Sequence, residues 1–286
     1  MSKKSTAVTE TAVVEIAQIS VDMRSRESIF EGINALVKVN EPEAAAALLA
    51  ESEKLYEEGV NISAVLVMDV SGSMDGADQI QRIQNTLPEM LSPTVGEIPW
   101  QVRAALICFG DLFSRDQVSV FDFRPLEKLA KMRWPRESGG SPQYESHLEA
   151  LMLAVGINLL LEGELRPGSE RLSPLPESGV ELILVTDDEK PRQKDSCGRT
   201  TLKEARRNLP RSCRLTVVAS SRGTWEGLLR EGDRFVHLDG NLSGLLRPVQ
   251  DAISSAVVTQ ATKVVGLIAA NIQSEVAGYL AAPITT

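Results

Sequence analysis

The sequence predicts an α/β fold, a doubly wound and mostly parallel sheet with helices on both faces and further helices added at both ends. Three observations carry that prediction. From Ile62 to about Leu238, short apolar runs alternate with segments of helical period, the texture of a parallel sheet. The runs Ala64-Val65-Leu66-Val67-Met68 and Leu182-Ile183-Leu184-Val185 lack the alternation of a half-exposed strand and read as strands buried on both faces. Each leads to an aspartate, Asp69 directly and Asp187 after Thr186, and ligands of open α/β sheets bind beyond the carboxyl ends of strands.

The elements follow in order. Met1 to about Arg24 is polar and fits neither period. Between Ser28 and Glu58, Ile29, Ile33, Leu36, Val37, Ala45, Leu48, Leu49 and Leu55 recur at helical spacing, so two amphipathic helices are expected, broken at Pro42 and ended by Gly59. After the first strand, Ile80, Ile83, Leu87, Met90 and Leu91 mark a helix. Val102 to Phe109 is a second strand ahead of Gly110, and Val118 to Phe123 alternates as a third. Tyr144 to Leu161 reads as a strong helix, with Leu148, Leu151, Met152, Val155, Leu159 and Leu160 on its apolar side. Glu164 to Gly179, rich in Pro, Ser and Gly, is a surface loop. Then come a strand over Val180–Val185, a helix over Thr200–Asn208, a strand over Leu215–Ala219, a short helix near Trp225 to Leu229 and a strand at Phe235 to Leu238. The tail carries Val249, Ile253, Val257, Ala261, Val264, Val265, Ile268 and Ile272 at helical spacing, a long amphipathic helix with Pro248 in its first turn. The expected organisation is an N-terminal, partly helical extension over 1–60, an α/β domain over 61–244, and a C-terminal helix and tail over 245–286.

Composition narrows the function. With 43% hydrophobic and 24% charged residues the chain has ordinary globular usage, which excludes fibrous and disordered classes. A net charge of −9 argues against binding nucleic acid, which depends on clustered Lys and Arg. Arg206, Arg207, Arg211 and Arg214 lie close in sequence without interleaved aromatics and read as a solvated face. Cys108, Cys197 and Cys213 form an odd set without CxxC spacing, as reduced structural thiols would. Glu15 and Gln18 interrupt the early apolar stretch, and Val264 to Ala270 falls short of the roughly 20 residues that cross a bilayer, so a soluble, cytoplasmic protein with no membrane partner is expected.

The chemistry concentrates in Asp69-Val70-Ser71-Gly72-Ser73-Met74, between a strand and a helix. Mg²⁺ takes oxygen ligands in octahedral geometry, and one carboxylate with two hydroxyls at alternate positions can hold it, leaving uncompensated charge that attracts an acidic ligand from outside. Asp187 closes a second buried strand that a doubly wound sheet can place beside the first. The loop Ser138-Gly139-Gly140-Ser141 offers close backbone approach and hydroxyl oxygens. The same residues have plainer uses: Asp69, Ser71 and Ser73 as a turn at a helix start, and Ser141 as an N-cap. Asp188 and Glu189 read as an exposed acidic loop. His147 and His237 have no His or Cys at ligand spacing, which argues against zinc and leaves them structural or surface roles. Trp100, Trp134 and Trp225 are scattered and read as packing residues.

Taken together, DxSxS after an apolar strand, a glycine-pair loop with a hydroxyl before a helix, and Val185-Thr186-Asp187 closing a later strand resemble the metal-ion-dependent adhesion site of von Willebrand factor A domains of the bacterial intracellular type, over roughly Asn61 to Gly240. The resemblance implies a Rossmann-like fold and one Mg²⁺ or Mn²⁺, with Ser71 and Ser73 as direct ligands and Asp69 and Asp187 acting largely through water. Ser141 stands where the family usually has Thr, and Asp188 where it commonly has Gly. The implied function is a metal-dependent protein-binding module in a multi-protein assembly, the cation bridging to an acidic residue of a partner. An AAA+ ATPase of the MoxR type is one candidate partner, other assembly subunits another. Two alternatives stand beside it: an assembly component held by its flanking helices with a vestigial metal site, and a Mg²⁺-dependent phosphoryl-transfer enzyme. Against the enzyme, Ser71 stands two residues after Asp69 where a second acid would be needed, and the chain has no GxxxxGK[ST] loop.

Overall fold

The structure is a computed structural model that describes residues 60–74, 80, 81, 83–85, 87, 88, 100–136, 145–176, 180–187, 192–237, 247, 249–251, 254 and 255. Nearly all of them belong to one of the two compact units into which the chain divides, Ile62–Pro93 with Val102–Gln260. The expected N-terminal helices, the Ser138–Ser141 loop, the Asp188-Glu189 pair and most of the C-terminal helix lie outside the described residues.

In chain order the described elements are β1 (Val60–Asp69), a 3-10 turn at Gly72–Met74, helical residues between 80 and 88 (α1), β2 (Trp100–Phe109), β3 (Ser119–Pro125), α2 (Leu126–Lys131), α3 (His147–Ala154), β4 (Val180–Val185), α4 (Leu202–Asn208), β5 (Cys213–Ala219), α5 (Arg222–Trp225) and β6 (Arg234–His237). Residues 247, 249–251, 254 and 255 are also helical. The strands form one sheet in the order β3-β2-β1-β4-β5-β6. From β1 through β4 and β5 to β6 the pairing is parallel, and β3 runs antiparallel to its neighbour β2. This is the doubly wound α/β sheet that the alternation of runs predicts.

The central strands are buried because they are apolar on both sides. Val65 and Val67 of β1 and Leu182 and Leu184 of β4 join Leu148, Leu151, Leu202, Leu215, Val217 and Trp225 in one cluster. Ala64, Leu66 and Met68 point the other way and are equally buried, as are Ile80, Ile83 and Leu87 of α1. The outer edge of β3 is covered by the Pro/Ser/Gly-rich loop: Arg166 N donates to Val118 O at 2.8 Å and Glu170 N to Val120 O at 2.9 Å. A covered edge offers no free backbone to another chain.

Two helices differ from expectation. The helix expected over Tyr144–Leu161 spans only His147–Ala154, and its described residues are buried nearly all round, so it is a core helix with no polar stripe. It stops because Gly156 takes φ +83°, with Gly156 N bonded to Leu153 O at 3.0 Å and Ile157 N to Met152 O at 2.8 Å. That is the glycine-dependent helix end. The apolar residues beyond it mimic helical periodicity without being helical. The helix expected near Trp225 to Leu229 ends rather than starts at Trp225, occupying Arg222–Trp225.

Candidate metal centre at the carboxyl end of the sheet

The strand order reverses direction between β1 and β4, which pair directly from Ala64↔Glu181 to Met68↔Val185. Such a reversal opens a crevice beyond the carboxyl ends of the two strands. The register places Asp69 at one wall of it and Thr186-Asp187 at the other.

Asp69 is fully buried, and neutral donors hold both carboxylate oxygens. Ser71 N donates to Oδ1 at 3.0 Å, and Thr186 Oγ1 donates to Oδ2 at 2.8 Å across 117 residues of sequence. Its backbone is fixed by the next strand, since Val70 N donates to Phe109 O at 2.9 Å. Ser71 is buried and starts a 3-10 turn in which Met74 N donates to Ser71 O at 3.3 Å. Ser73 sits in that turn. Thr186 N donates to Val218 O at 3.1 Å, and Asp187, half-buried, receives Ser220 Oγ on its carbonyl at 3.4 Å.

A residue that sequence reasoning set aside underlies this crevice. His147, at the start of α3, is buried with its Nε2 3.2 Å from Thr186 Oγ1. Thr186 has one hydroxyl proton and gives it to Asp69, so Nε2 is the donor to Thr186. The ring is wedged edge-on between Phe109, 5.3 Å away, and Trp225, 5.1 Å away. The chain His147–Thr186–Asp69 therefore joins α3, β4 and β1. Burial pushes the Asp69 carboxyl up to about 7 from 3.8; His147 and the Ser71 amide oppose the rise, and Asp187 adds to it.

The neighbouring strand end is also rigid. After β2, a Cβ on Gly110 would meet Asp116 Oδ2 at 2.5 Å, so any larger residue would push the Asp116 carboxylate off the Asp111 amide that it accepts at 3.0 Å. Asp111 accepts Phe113 N at 3.0 Å and Arg192 Nη2 at 3.3 Å, and Ser146, the residue before α3, donates its amide to Gly110 O at 3.2 Å. Two more acids, Glu145 and Glu149, are fully buried around the start of α3, with Ser196 N donating to Glu149 Oε1 at 2.5 Å. They look like ordinary polar positions in a helical pattern, and nothing in the sequence alone marks them as buried.

Of the five expected metal-site residues, the structure brings Asp69, Ser71 and Asp187 to one crevice and puts the Ser73 backbone in the turn that follows; Ser141 is outside the described residues. Among the described residues no three His, Cys, Asp or Glu side chains converge as a metal cluster. A site of the expected kind does not need one, because it takes hydroxyl oxygens beside its carboxylates. The donor set fits a hard cation on one observation: Asp69 is buried, its charge opposed by burial and by Asp187, with no Lys or Arg contributing to its compensation.

No family model matches the chain, and no curated protein is similar to it. Among solved structures it is similar to proximal thread matrix protein 1 from the mussel byssus, at 13% identity and a TM-score of 0.43 over 69% of this chain and 46% of that one. It is also similar to a von Willebrand factor type A protein from Catenulispora acidiphila, at 13% identity and a TM-score of 0.42 over 69% of this chain and 43% of that one. The chain thus spans less than half the length of the structures it matches. No helix among the described residues is long and apolar enough to cross a membrane.

Proposed function

We propose that the chain is a von Willebrand factor A-type module that binds a protein partner through one Mg²⁺ or Mn²⁺, without catalysing a reaction. The observation that supports this most is the state of Asp69: a carboxylate buried at the switch point of the sheet, served by neutral donors and by His147, with no Lys or Arg contributing to its compensation. Oxygen donors of this kind suit a hard cation that keeps some of its waters. Ser71, Ser73 and Ser141 would hold it directly, with Asp69 and Asp187 as its outer partners. The bound ion would supply positive charge that the site only partly neutralises. An Asp or Glu of the partner would complete its coordination. That partner is an AAA+ ATPase of the MoxR type or another subunit of a cytoplasmic assembly.

The test is calorimetric titration of the chain with Mg²⁺ and Mn²⁺, beside Asp69→Asn, which keeps the shape of the side chain and removes its charge. Wild-type protein is expected to take up one ion and to melt at higher temperature with it, and the variant to do neither. Wild-type protein as silent as Asp69→Asn at millimolar metal would overturn the proposal.

A further inference from the structure

One cavity lies apart from the switch-point crevice. It has a volume of about 860 Å³ and lies between α1, β3 and the stretch that follows α2. Lys131, Arg133, Arg136 and Arg166 line it, and no acid is among its described lining residues, although the chain as a whole carries −9. Lys131 and Arg133 make no salt bridge. Arg136 Nη2 donates to Gln81 Oε1 at 3.4 Å, and Arg166 lies close enough to Asp116 to influence its carboxyl.

The walls are built rather than collapsed. Gln84 Nε2 donates to Ala130 O at 2.6 Å and also to Met132 O, tying α1 to the end of α2. Trp134 Nε1 donates to Leu129 O at 3.0 Å, which folds the segment carrying Arg133 and Arg136 back on α2. A second, independent observation points to a ligand. Ser119, only 2% exposed, lines the cavity, and its Oγ has no hydrogen-bond partner. Buried hydroxyls are rarely left so, because each loses its water without compensation.

We infer that this cavity binds a small organic polyanion, a molecule carrying two or more phosphate or carboxylate groups. Lys131 and Arg133, neither of them in a salt bridge, repel each other across one volume, and a single acidic group cannot neutralise both. The volume is that of a small-molecule pocket. Ser119, whose hydroxyl has no partner, and Phe121 lie on the same wall, and Phe121 provides an apolar surface for the body of the ligand.

The test is calorimetric titration of the whole chain with ATP, tripolyphosphate and citrate, with protein and buffers freed of metal on a chelating resin, so that no metal-bridged contact contributes, no soluble chelator competes and the outcome is independent of the metal site. At least one of the three is expected to bind with a Kd below 1 mM. Arg133→Glu combined with Arg136→Glu should weaken that binding at least tenfold, while Arg206→Glu on α4 leaves it within twofold. Binding to the phosphate compounds alone would identify a phosphate site, and binding to citrate alone a carboxylate site. Ser119→Ala should weaken binding without lowering the urea midpoint. An absence of binding by all three anions, binding unaltered in the double variant, or binding only of an oligoglutamate peptide would each overturn the inference.

Discussion

Two buried aspartates at opposite ends of the parallel strands are held in opposite ways. Asp233, just before β6, faces a cation: Arg230 Nε donates to its Oδ2 at 3.1 Å, and Leu215 N donates to Oδ1 at 3.0 Å. The same guanidinium also donates to Leu209 O at 2.9 Å and Pro210 O at 3.0 Å, so the charge of Asp233 and the loop before β5 are satisfied together. Asp69, at the carboxyl end of β1, has the Ser71 amide and side chain, the Thr186 hydroxyl and the more distant His147. The first carboxylate closes a structural network, whereas the second is fixed in place with its charge largely uncompensated. A buried charge completed within the fold holds the fold together, and one left incomplete is where an ion can be gained.

The largest effect should come from breaking the complete pair. Asp233→Ala leaves the Arg230 guanidinium half-buried without its carboxylate and strips the Leu215 amide of its acceptor, so it should destabilise the chain by about 3 kcal/mol. Urea unfolding monitored by tryptophan fluorescence measures this. The metal response should persist in the variant, and a lost response would mean that the two ends of the sheet are not independent.

A smaller effect is expected at the incomplete site. Thr186→Val keeps the side chain's shape but removes the hydroxyl between His147 and Asp69, at a cost of about 2 kcal/mol from two disrupted buried hydrogen bonds. The rise in melting temperature produced by millimolar Mg²⁺ should shrink as well, because Asp69 Oδ2 is no longer oriented. A variant as stable as wild type would show that the Thr186 hydroxyl contributes nothing to holding Asp69.

The contrast also marks what could be read from sequence. Strands β1 and β4 were legible because both faces are buried and the runs are unbroken, and Asp69 and Asp187 were legible because they close those runs. That the two ends lie side by side depends on β1 pairing with β4, a long-range contact that residue periodicity does not encode. The burial of His147, Glu145 and Glu149 is not legible because a polar residue within an apolar helical pattern is ordinarily its exposed face, and α3 has none. The end of α3 was missed because Leu159 and Leu160 continue the period past Gly156, and the backbone conformation of a single glycine outweighs two apolar side chains. Arg133 and Arg136 carried no signal at all, since only the turn secured by Trp134 brings them to a common cavity.

The smallest effect separates burial from donor type. Glu204, like Asp69, is held by neutral donors: in a capping box at the start of α4, Thr201 N and Thr201 Oγ1 donate to Oε2 at 2.7 and 2.8 Å, while Glu204 N donates to Thr201 Oγ1 at 3.2 Å. Glu204 is exposed, so those bonds outweigh the small opposing effect of desolvation and hold its carboxyl below the ordinary 4.5, the reverse of the shift at Asp69. A carboxyl depressed in the folded state adds stability that is present above its unfolded value and lost as pH falls through the folded one. Thr201→Ala should therefore cost about 1 kcal/mol at neutral pH, the usual worth of an N-cap. Glu204→Gln should also destabilise at neutral pH, and its urea midpoint should approach that of wild type as the pH is lowered from about 6 through the depressed folded value of Glu204, below which both side chains are uncharged. A gap that stayed constant over that range would mean that the charge of Glu204 contributes nothing to the cap, and that burial alone does not account for the opposite shift at Asp69.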